Sequence, residues 1–303
     1  MNFRLSPRAP ALALSVAALA AGHASSASAA EANYAYSVSP VYQFNADLDG
    51  GGTTGASALI LSLSRGKQID ERWRIGASLR ANWEPWRFSN PVAFGGIAPW
   101  ENVVRIGFSV PVSYAADGGW RFAVVPTVEY AAESGADSGK AWEYGAVASA
   151  AKSVSADLTV GLGVGVFSEI EKTVAFPYLV VDWKIDQRWR LSNPFAAGPA
   201  GPAGLELSYA FGENWDAGIG GAYRSYRFRL DQSGPFPDGI GESRLVPAFL
   251  RISRKLGSEA RLDFYAGAAL NGRLKLEDSN GGDLVSEDYA TAPMIGLTLS
   301  GRF

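Results

Sequence analysis

The last fifteen residues, Tyr289 to Phe303, place the strongest constraint on how this chain can fold. Large apolar side chains share one parity in this stretch, and small or polar side chains share the other. The apolar set is Ile295, Leu297, Leu299 and Phe303, with Tyr289 at the far end. A period of two predicts a β-strand with one apolar and one polar face. Such a strand would be a hazardous edge in a soluble sheet, whereas a sheet closed into a barrel has no edge and lipid can cover its apolar face.

The same stretch resembles the C-terminal strand of Gram-negative outer-membrane β-barrels, in which a final Phe and alternating apolar residues form the assembly signal. The resemblance implies a protein of the outer membrane of a Gram-negative bacterium, delivered to the barrel-assembly machinery through this strand. The signal residues would be Ile295, Leu297, Leu299 and Phe303. Gly301 departs from the pattern, because a large apolar side chain is usual at that position.

The N-terminus has the plan of a secretory signal peptide. Arg4 and Arg8 precede about a dozen apolar residues and an Ala-x-Ala site at Ala27 to Ala29, and the apolar run is shorter than the ~20 residues of a membrane-spanning helix. We expect residues 1–30 to be removed by cleavage after Ala29 or Ala30. Residues 31–303, which contain no apolar run of membrane-helix length, would form the barrel.

Composition excludes several classes of chemistry. The chain has no cysteine, and its single histidine, His23, lies in the predicted signal peptide. Thiol nucleophiles, zinc–thiolate sites, histidine metal ligands and Ser–His hydrolysis are therefore excluded from the mature chain. Without Arg4 and Arg8 the balance is 25 basic to 30 acidic side chains, which gives no indication of nucleic-acid binding. The sequence predicts no enzyme, no cofactor and no metal.

Alternation of this kind recurs along the chain and predicts an all-β, closed antiparallel transmembrane barrel of about fourteen strands. The clearest example is 72–83, where apolar residues from Trp73 to Trp83 alternate with arginines and small polar residues. Six short turns alternate with seven longer loops, and in this class the short turns and both termini are periplasmic while the longer loops are extracellular. Twelve strands remain possible if Trp189 to Phe211 is not a hairpin. Pro85 to Pro99 and Asn271 to Asp288 are predicted to be long loops.

Tryptophan follows a turn directly at the start of four predicted strands. Because indole rings prefer the membrane–water interface, recurrence at one end predicts an aromatic girdle. The girdle residues would be Trp73, Trp120, Trp183, Trp189 and Trp215.

Charged residues also recur on the faces that would point into the barrel. The predicted pore-lining set is Arg74, Arg80, Arg105, Arg121, Glu129, Glu143, Asp182, Glu206, Arg251 and Asp263. Fixed charges in a water-filled lumen set solute preference, and the same charges could instead form a salt-bridge lattice that closes the barrel. Positively and negatively charged side chains are interspersed around the inner wall, so we expect no strong ion selectivity.

Three further stretches carry weaker signals. Asp47 to Gly50 and Glu277 to Asp283 faintly resemble calcium loops but lack the full twelve-residue spacing, so solvated loops are favoured. Phe195 to Pro202 is either a surface loop or a segment folded into the lumen. Carboxylate chemistry between Glu129 and Glu143 has little else to support it.

Two stretches, 201–209 and 221–231, resemble a bacterial family known only as a domain of unknown function and grouped with outer-membrane barrels. The resemblance implies a fold and a location and supplies no activity. From the small and charged inner face we predict a passive channel or facilitator for small solutes or apolar nutrients, embedded in the lipid bilayer. The alternative is a closed structural or adhesive barrel that acts through its surface loops.

Overall fold

The structure is a computed structural model that describes residues 33–194 and 203–303. Almost all of the described chain is β-strand. The strands are β1 (Asn33–Asp47), β2 (Thr53–Gln68), β3 (Trp73–Ser89), β4 (Asn102–Ser109), β5 (Val112–Ala115), β6 (Trp120–Glu133), β7 (Trp142–Ser153), β8 (Leu158–Glu169), β9 (Lys172–Lys184), β10 (Trp189–Ser192), β11 (Gly204–Ala210), β12 (Trp215–Ala222), β13 (Arg224–Arg229), β14 (Ile240–Leu256), β15 (Ala260–Glu277), β16 (Asp283–Tyr289) and β17 (Ala292–Arg302).

These segments form a closed antiparallel barrel of fourteen strands, as predicted. Three barrel strands are interrupted, because β4 and β5 both pair with β3, β12 and β13 both pair with β14, and β16 and β17 both pair with β15. Closure comes from β1 and β17, which pair from Ala35 with Arg302 to Gln43 with Met294. The twelve-strand alternative is wrong, since β10 and β11 form a true hairpin in which Trp189 pairs with Tyr209.

The two ends of the barrel differ in their connections. The first described strand begins, and the last strand ends, at the end of the barrel that carries the six short turns. There the backbones of Tyr34 and Phe303 exchange two hydrogen bonds, each with an N···O distance of 3.0 Å. By the rule of this class that end is periplasmic, and the end with the other seven connections is extracellular.

A band of apolar side chains covers the outside of the barrel, as a lipid-facing wall requires. Leu162 is 65% exposed and Leu250 is 60% exposed, although both lie in the middle of long strands. At the periplasmic rim, the five tryptophans predicted as a girdle are 40–45% exposed on the outer face. Among the described residues, no helix is long and apolar enough to span a membrane.

Two of the periplasmic turns are built in the same way. The Asp70 carboxylate accepts the backbone N–H groups of Arg72 (2.8 Å) and Trp73 (2.7 Å), and the hydrogen bonds from Trp73 and Arg72 lower the pKa of Asp70. The Arg72 guanidinium then donates to the Tyr114 hydroxyl at 3.1 Å, and the Trp73 and Tyr114 rings lie 4.8 Å apart. The turn from Asp186 to Trp189 repeats this arrangement against the strand that follows it. The repeat fixes each tryptophan at the rim.

The final strand explains why Gly301 departs from the usual pattern. The ring of Tyr36, on neighbouring β1, lies where a side chain on Gly301 would project, and an added Cβ would come within 2.7 Å of that ring. Phe303 stacks on Tyr34 with ring centroids 5.3 Å apart. An aromatic from β1 therefore fills the position that a large residue of the last strand would otherwise occupy. Tyr289, expected at the far end of the apolar face, is buried at 4% exposure.

Two predicted loops are wrong. Asn271 to Asp288 is a β-hairpin, because β15 continues to Glu277 and β16 begins at Asp283. The predicted loop Pro85 to Pro99 begins too early, because β3 continues to Ser89. In both places the strands reach further toward the extracellular side than predicted. The predicted signal peptide and the segment Phe195 to Pro202 lie outside the described residues.

Candidate functional site

A hairpin folds across the extracellular mouth of the barrel. It consists of β13, the first residues of β14 and the turn between them, residues 224–245, and we call it the lid hairpin. Its tip reaches the far wall, where Arg229 pairs with Ala132 of β6 and Asp231 forms a bridge with Ala136. In the ring of fourteen, the barrel strand that contains β13 lies six positions from β6, so the two are almost opposite. The lid hairpin therefore spans the mouth.

Buried ion pairs attach the middle of the lid hairpin to its surroundings. Arg227 donates to Glu242 (3.1 Å) and to both carboxylate oxygens of Glu277, one of them at 2.9 Å, and its Nε donates to the Ile170 carbonyl at 2.6 Å. The side chains of Arg227, Glu242 and Glu277 are 1%, 1% and 4% exposed. Lys172, at the β8–β9 turn, adds a second cation 3.1 Å from Glu242. Charges this deeply buried depend on one another, since none is compensated by water.

Arg229 fixes the tip. Its guanidinium pairs with the Glu171 carboxylate at 2.9 Å and donates to the carbonyls of Asp238 (2.8 Å) and Ser279 (3.1 Å). The Asp238 carboxylate pairs with Lys140 of the β6–β7 loop at 2.8 Å. The lid hairpin is thus tied to the β6–β7 loop, the β8–β9 turn and the β15–β16 turn.

An apolar core fills the space beneath the lid hairpin. Trp100, from the end of the loop after β3, meets the Phe228 ring at 5.2 Å in an edge-on contact, and Phe94 from the same loop packs against Trp100. Both Trp100 and Phe228 are 1% exposed. The loop between β3 and β4, residues 90–101, therefore contributes side chains to the barrel interior, and the extracellular half of the lumen is packed.

A cluster of charges lies where the lid hairpin meets the barrel wall. Arg105 donates from Nε to Glu129 at 2.9 Å and lies near Glu84 at 4.0 Å. Its guanidinium also stands 3.6 Å over the Tyr226 ring of the lid hairpin. A cation over an aromatic face is stabilised by the ring quadrupole, and the effect grows when both groups are desolvated. The wall and the lid hairpin are therefore linked at mid-height as well as at the mouth.

A second cluster stands on the inner wall of β11 to β15. Arg251 pairs with Glu206, with Asp216 at 2.7 Å and with Asp263 at 3.3 Å. Arg261 contacts the same two aspartates at 2.9 and 2.7 Å. Two cations and three carboxylates share one network, so opposite signs neutralise each other locally.

The ten predicted pore-lining residues fall into two groups. Arg105, Glu129, Glu206, Arg251 and Asp263 are buried, at 2–8% exposure, in the ion pairs just described. The others are half-buried or exposed, and they include Arg74 and Arg121 near the periplasmic rim and Asp182 in an ion pair with Arg190 at 2.7 Å; the full set is Arg74, Arg80, Arg121, Glu143 and Asp182. In this conformation the first group forms ion pairs inside the barrel. In the second group, Arg74, Arg121 and Asp182 lie toward the periplasmic end, whereas Arg80 lies near Arg105 at mid-height and Glu143 is the strand-ladder partner of Glu129 of β6 near the extracellular mouth.

Sequence reasoning missed an apolar patch on the inner wall of β6 to β9. Its members are Val125, Val147, Phe167, Val174, Phe176 and Tyr178. Each ring lies against a glycine of a neighbouring strand, so that an added Cβ on Gly165 would overlap Phe176 and one on Gly163 would overlap Tyr178. The signal was present in the run of alternate glycines in β8, because glycine inside a strand often marks a close approach.

The acidic segment 277–283 is a structural turn. The Asp278 carboxylate accepts the N–H groups of Asn280 and Gly282, both at 2.8 Å, and hydrogen bonding from Gly282 and Asn280 lowers the pKa of Asp278. Within the described part of the chain, no group of three or more acidic or histidine side chains is arranged to hold a metal ion.

No family model and no curated protein matches the chain. An outer-membrane channel from Pseudomonas putida F1 aligns over 93% of this chain and 98% of its own, with 9% identity and a TM-score of 0.48. The toluene transporter TodX of Pseudomonas putida covers 90% of each chain with 11% identity and a TM-score of 0.41, and the KdgM porin covers 86% and 97% with 11% identity and a TM-score of 0.31. Likeness at this level says nothing about substrate.

Proposed function

We propose that this protein is a passive outer-membrane channel or facilitator for small solutes of apolar or mixed character, observed with its extracellular mouth closed. The observation that carries the proposal is the inner apolar patch of β6 to β9. A barrel that merely stands in the membrane has no need of aromatic rings on its inner wall, and a simple aqueous pore is lined by polar side chains.

The opposite wall supports the same reading. Phe249 and Tyr265 pack edge to face at 5.7 Å, and Ala222 packs against them. The neighbouring Arg251 and Asp263 form an ion pair with each other, so this wall presents little uncompensated charge to the lumen at mid-height. An apolar solute that enters from outside would meet apolar surfaces on two walls, and charge pairs would add no barrier of one sign.

Passage requires the lid hairpin to move. It is attached through the antiparallel ladder between residues 240–244 and 273–277 of β15, through ion pairs and hydrogen bonds to loops and turns, and through the ring contacts of Phe228 and Tyr226. At the mouth, therefore, the lid hairpin moves either by breaking this short ladder or together with the end of β15. When the lid hairpin leaves, water solvates the charged and polar groups of these attachments, so the lid hairpin has two discrete positions, closed and open. The half-exposed residues at the periplasmic end leave that side accessible in the closed conformation.

Conductance and uptake test the proposal. Purified protein in a planar bilayer should give discrete conductance steps, and proteoliposomes should admit a small aromatic hydrocarbon faster than protein-free liposomes do. Gly165→Leu, which drives a side chain into the Phe176 ring, should slow that uptake more than Gly212→Leu, a change at a periplasmic turn where an added Cβ would meet its nearest neighbour at 3.8 Å. Silence in the bilayer together with unchanged uptake would refute the channel.

The second candidate is a closed barrel that acts through its surface, and the sealed mouth favours it. In that case the lid hairpin is permanent and its outer turn, residues 230–239, is a binding surface. Deleting the tip of this turn would then abolish binding to a partner without opening a conductance. The resemblance to a family of unknown function adds no activity to either candidate, and we propose no catalytic role.

A further inference from the structure

The outer wall has a recess where two prolines interrupt neighbouring strand ladders. The β1–β17 ladder stops between Val38 and Val41, around Pro40. The β2–β3 ladder stops between Ala56 and Leu59, opposite Pro85. Proline has no N–H to donate, so a proline in each of two strands flanking β2 loosens both seams at the same height.

This recess is an apolar cavity of about 490 Å³ on the lipid-facing side of the barrel. Its volume lies within the range of ~300–1,000 Å³ that is usual for ligand pockets. The rim residues are 36–52% exposed, and the floor is formed by Val41 and Ala58. The rim consists of Tyr42, Leu59, Trp83, Phe264, Ile295 and Leu297. A cavity with these walls accommodates hydrocarbon.

Arg87 stands directly above the cavity. It shares the outward parity of Trp83, lies near the extracellular end of β3, and places its guanidinium 4.6 Å over the Tyr42 ring. It donates to the Ser57 hydroxyl at 2.8 Å and to the Gln43 carbonyl at 2.9 Å. Tyr42 and Ser57 both line the cavity, so the charge and the apolar walls belong to one site.

The charge of Arg87 is uncompensated within the described residues, because none of their carboxylates forms an ion pair with it. Its three hydrogen bonds go to neutral oxygens and leave some of the five guanidinium N–H donors free. An unpaired guanidinium at the level of the lipid head groups is a strong site for a phosphate, which it can bind through two parallel hydrogen bonds.

We propose that this recess binds a phosphate-bearing lipid of the surrounding leaflet, with one acyl chain in the cavity and the phosphate on Arg87. The site faces lipid whether or not the barrel conducts, so the inference is independent of the proposed function. A lipid without a phosphate could fill the cavity with its acyl chain but would leave Arg87 without a counter-ion. A second copy of the chain would need an acidic group aimed at Arg87 from an outer face that is apolar at this height.

Quenching of Trp83 fluorescence tests the site. The protein is placed in nanodiscs of phosphatidylcholine that contain a small fraction of either brominated phosphatidic acid or brominated phosphatidylcholine. Subtracting the signal of Trp83→Phe isolates the indole at the cavity. We expect brominated phosphatidic acid to quench Trp83 at about tenfold lower mole fraction than brominated phosphatidylcholine does. Arg87→Gln should make the two lipids equal, and Leu59→Phe, which enlarges an outward side chain of the rim, should weaken quenching by both.

Two matched controls accompany the test. Trp142, exposed on the outer face of β7, should be quenched equally by both lipids when isolated with Trp142→Phe. Arg254→Gln removes an outward arginine from the periplasmic rim and should leave the preference at Trp83 unchanged. Equal quenching of Trp83 by the two lipids in the wild type would overturn the proposal in favour of unspecific acyl contact. Absence of quenching by both would overturn it in favour of a second copy covering this wall.

Discussion

The lid hairpin should be released by removing a single buried charge. In Arg227→Met a side chain of similar length replaces the guanidinium, so the packing is largely kept while the hydrogen bonds to Glu242, Glu277 and Ile170 are lost. Glu242 and Glu277 then remain buried without their shared cation. Breaking a buried pair by removing one partner costs ~3–5 kcal/mol.

Neighbouring cations moderate this cost. Lys172 still lies 3.1 Å from Glu242, and Lys275 lies 2.8 Å from Glu277. We therefore take the low end, about 3 kcal/mol, which changes the ratio of closed to open lid by about a hundredfold, since each 1.4 kcal/mol is a factor of ten. Once the lid hairpin has left, water solvates both carboxylates, so the penalty acts on the closed conformation alone.

The assay is single-channel recording in a planar bilayer, which reports the open fraction directly. Arg227→Met should raise it by about a hundredfold or to saturation. Arg72→Met is the matched control, because its ion pair with Asp117 is exposed at 50% and 88% and such pairs contribute little. Adding Glu277→Gln to Arg227→Met should restore part of the closure by removing an orphaned charge. If the open fraction is the same in Arg227→Met and Arg72→Met, the buried ion pairs of Arg227 do not hold the lid hairpin closed.

Three further outcomes follow from the wall and the last strand, all measured by heat-modifiable migration on a gel, which reports folded barrel. Leu162→Arg places a charge in the lipid-facing band and should cost ~2–4 kcal/mol, whereas Thr159→Arg, on the inner face near the periplasmic rim, should fold almost normally; equal folding would contradict the assigned faces. Gly165→Ala should destabilise the barrel by pushing Phe176 off the wall, and a stable variant would contradict that contact. Deletion of Phe303 should slow assembly in cells more than it destabilises the folded barrel, and normal assembly would contradict its role as a signal.

The alternation of side chains was sufficient to predict the barrel. In Trp73 to Trp83 every second residue is apolar, and the structure places that set outside. Alternation reports which face of a strand meets lipid and is insensitive to where the strand bends. It also predicted the strand count, because each reversal of direction carries its own turn residues.

The lid hairpin was not predictable in the same way. Segment 224–229 reads Arg-Ser-Tyr-Arg-Phe-Arg, in which arginines fall on both parities. Alternation fails here because β13 is buried on both faces, between the apolar core and the ion pairs. The partners of Arg227 and Arg229 come from turns 50 or more residues away, apart from Glu242 and Asp238. Such contacts depend on the closed ring and leave no local pattern.

The Thr298 position shows a related limit. Its parity indicates an inward side chain, and a lumen full of water would make it tolerant of substitution. In the structure Thr298 is fully buried and its hydroxyl is hydrogen-bonded to Ser39 at 2.7 Å. Parity therefore gives the direction of a side chain, while the filling of the lumen is decided by residues elsewhere in the chain.

The most direct test of the account is to lock the lid hairpin to the far wall. The chain has no cysteine, so Ala136→Cys with Asp231→Cys introduces a single pair, at positions that already form an antiparallel bridge. Bridge partners have Cα atoms about 4.5–5.5 Å apart, which suits a disulfide. The oxidised protein should be folded by gel migration and electrically silent, and reduction should restore conductance steps. Conductance that is the same before and after reduction would contradict a channel closed by this hairpin.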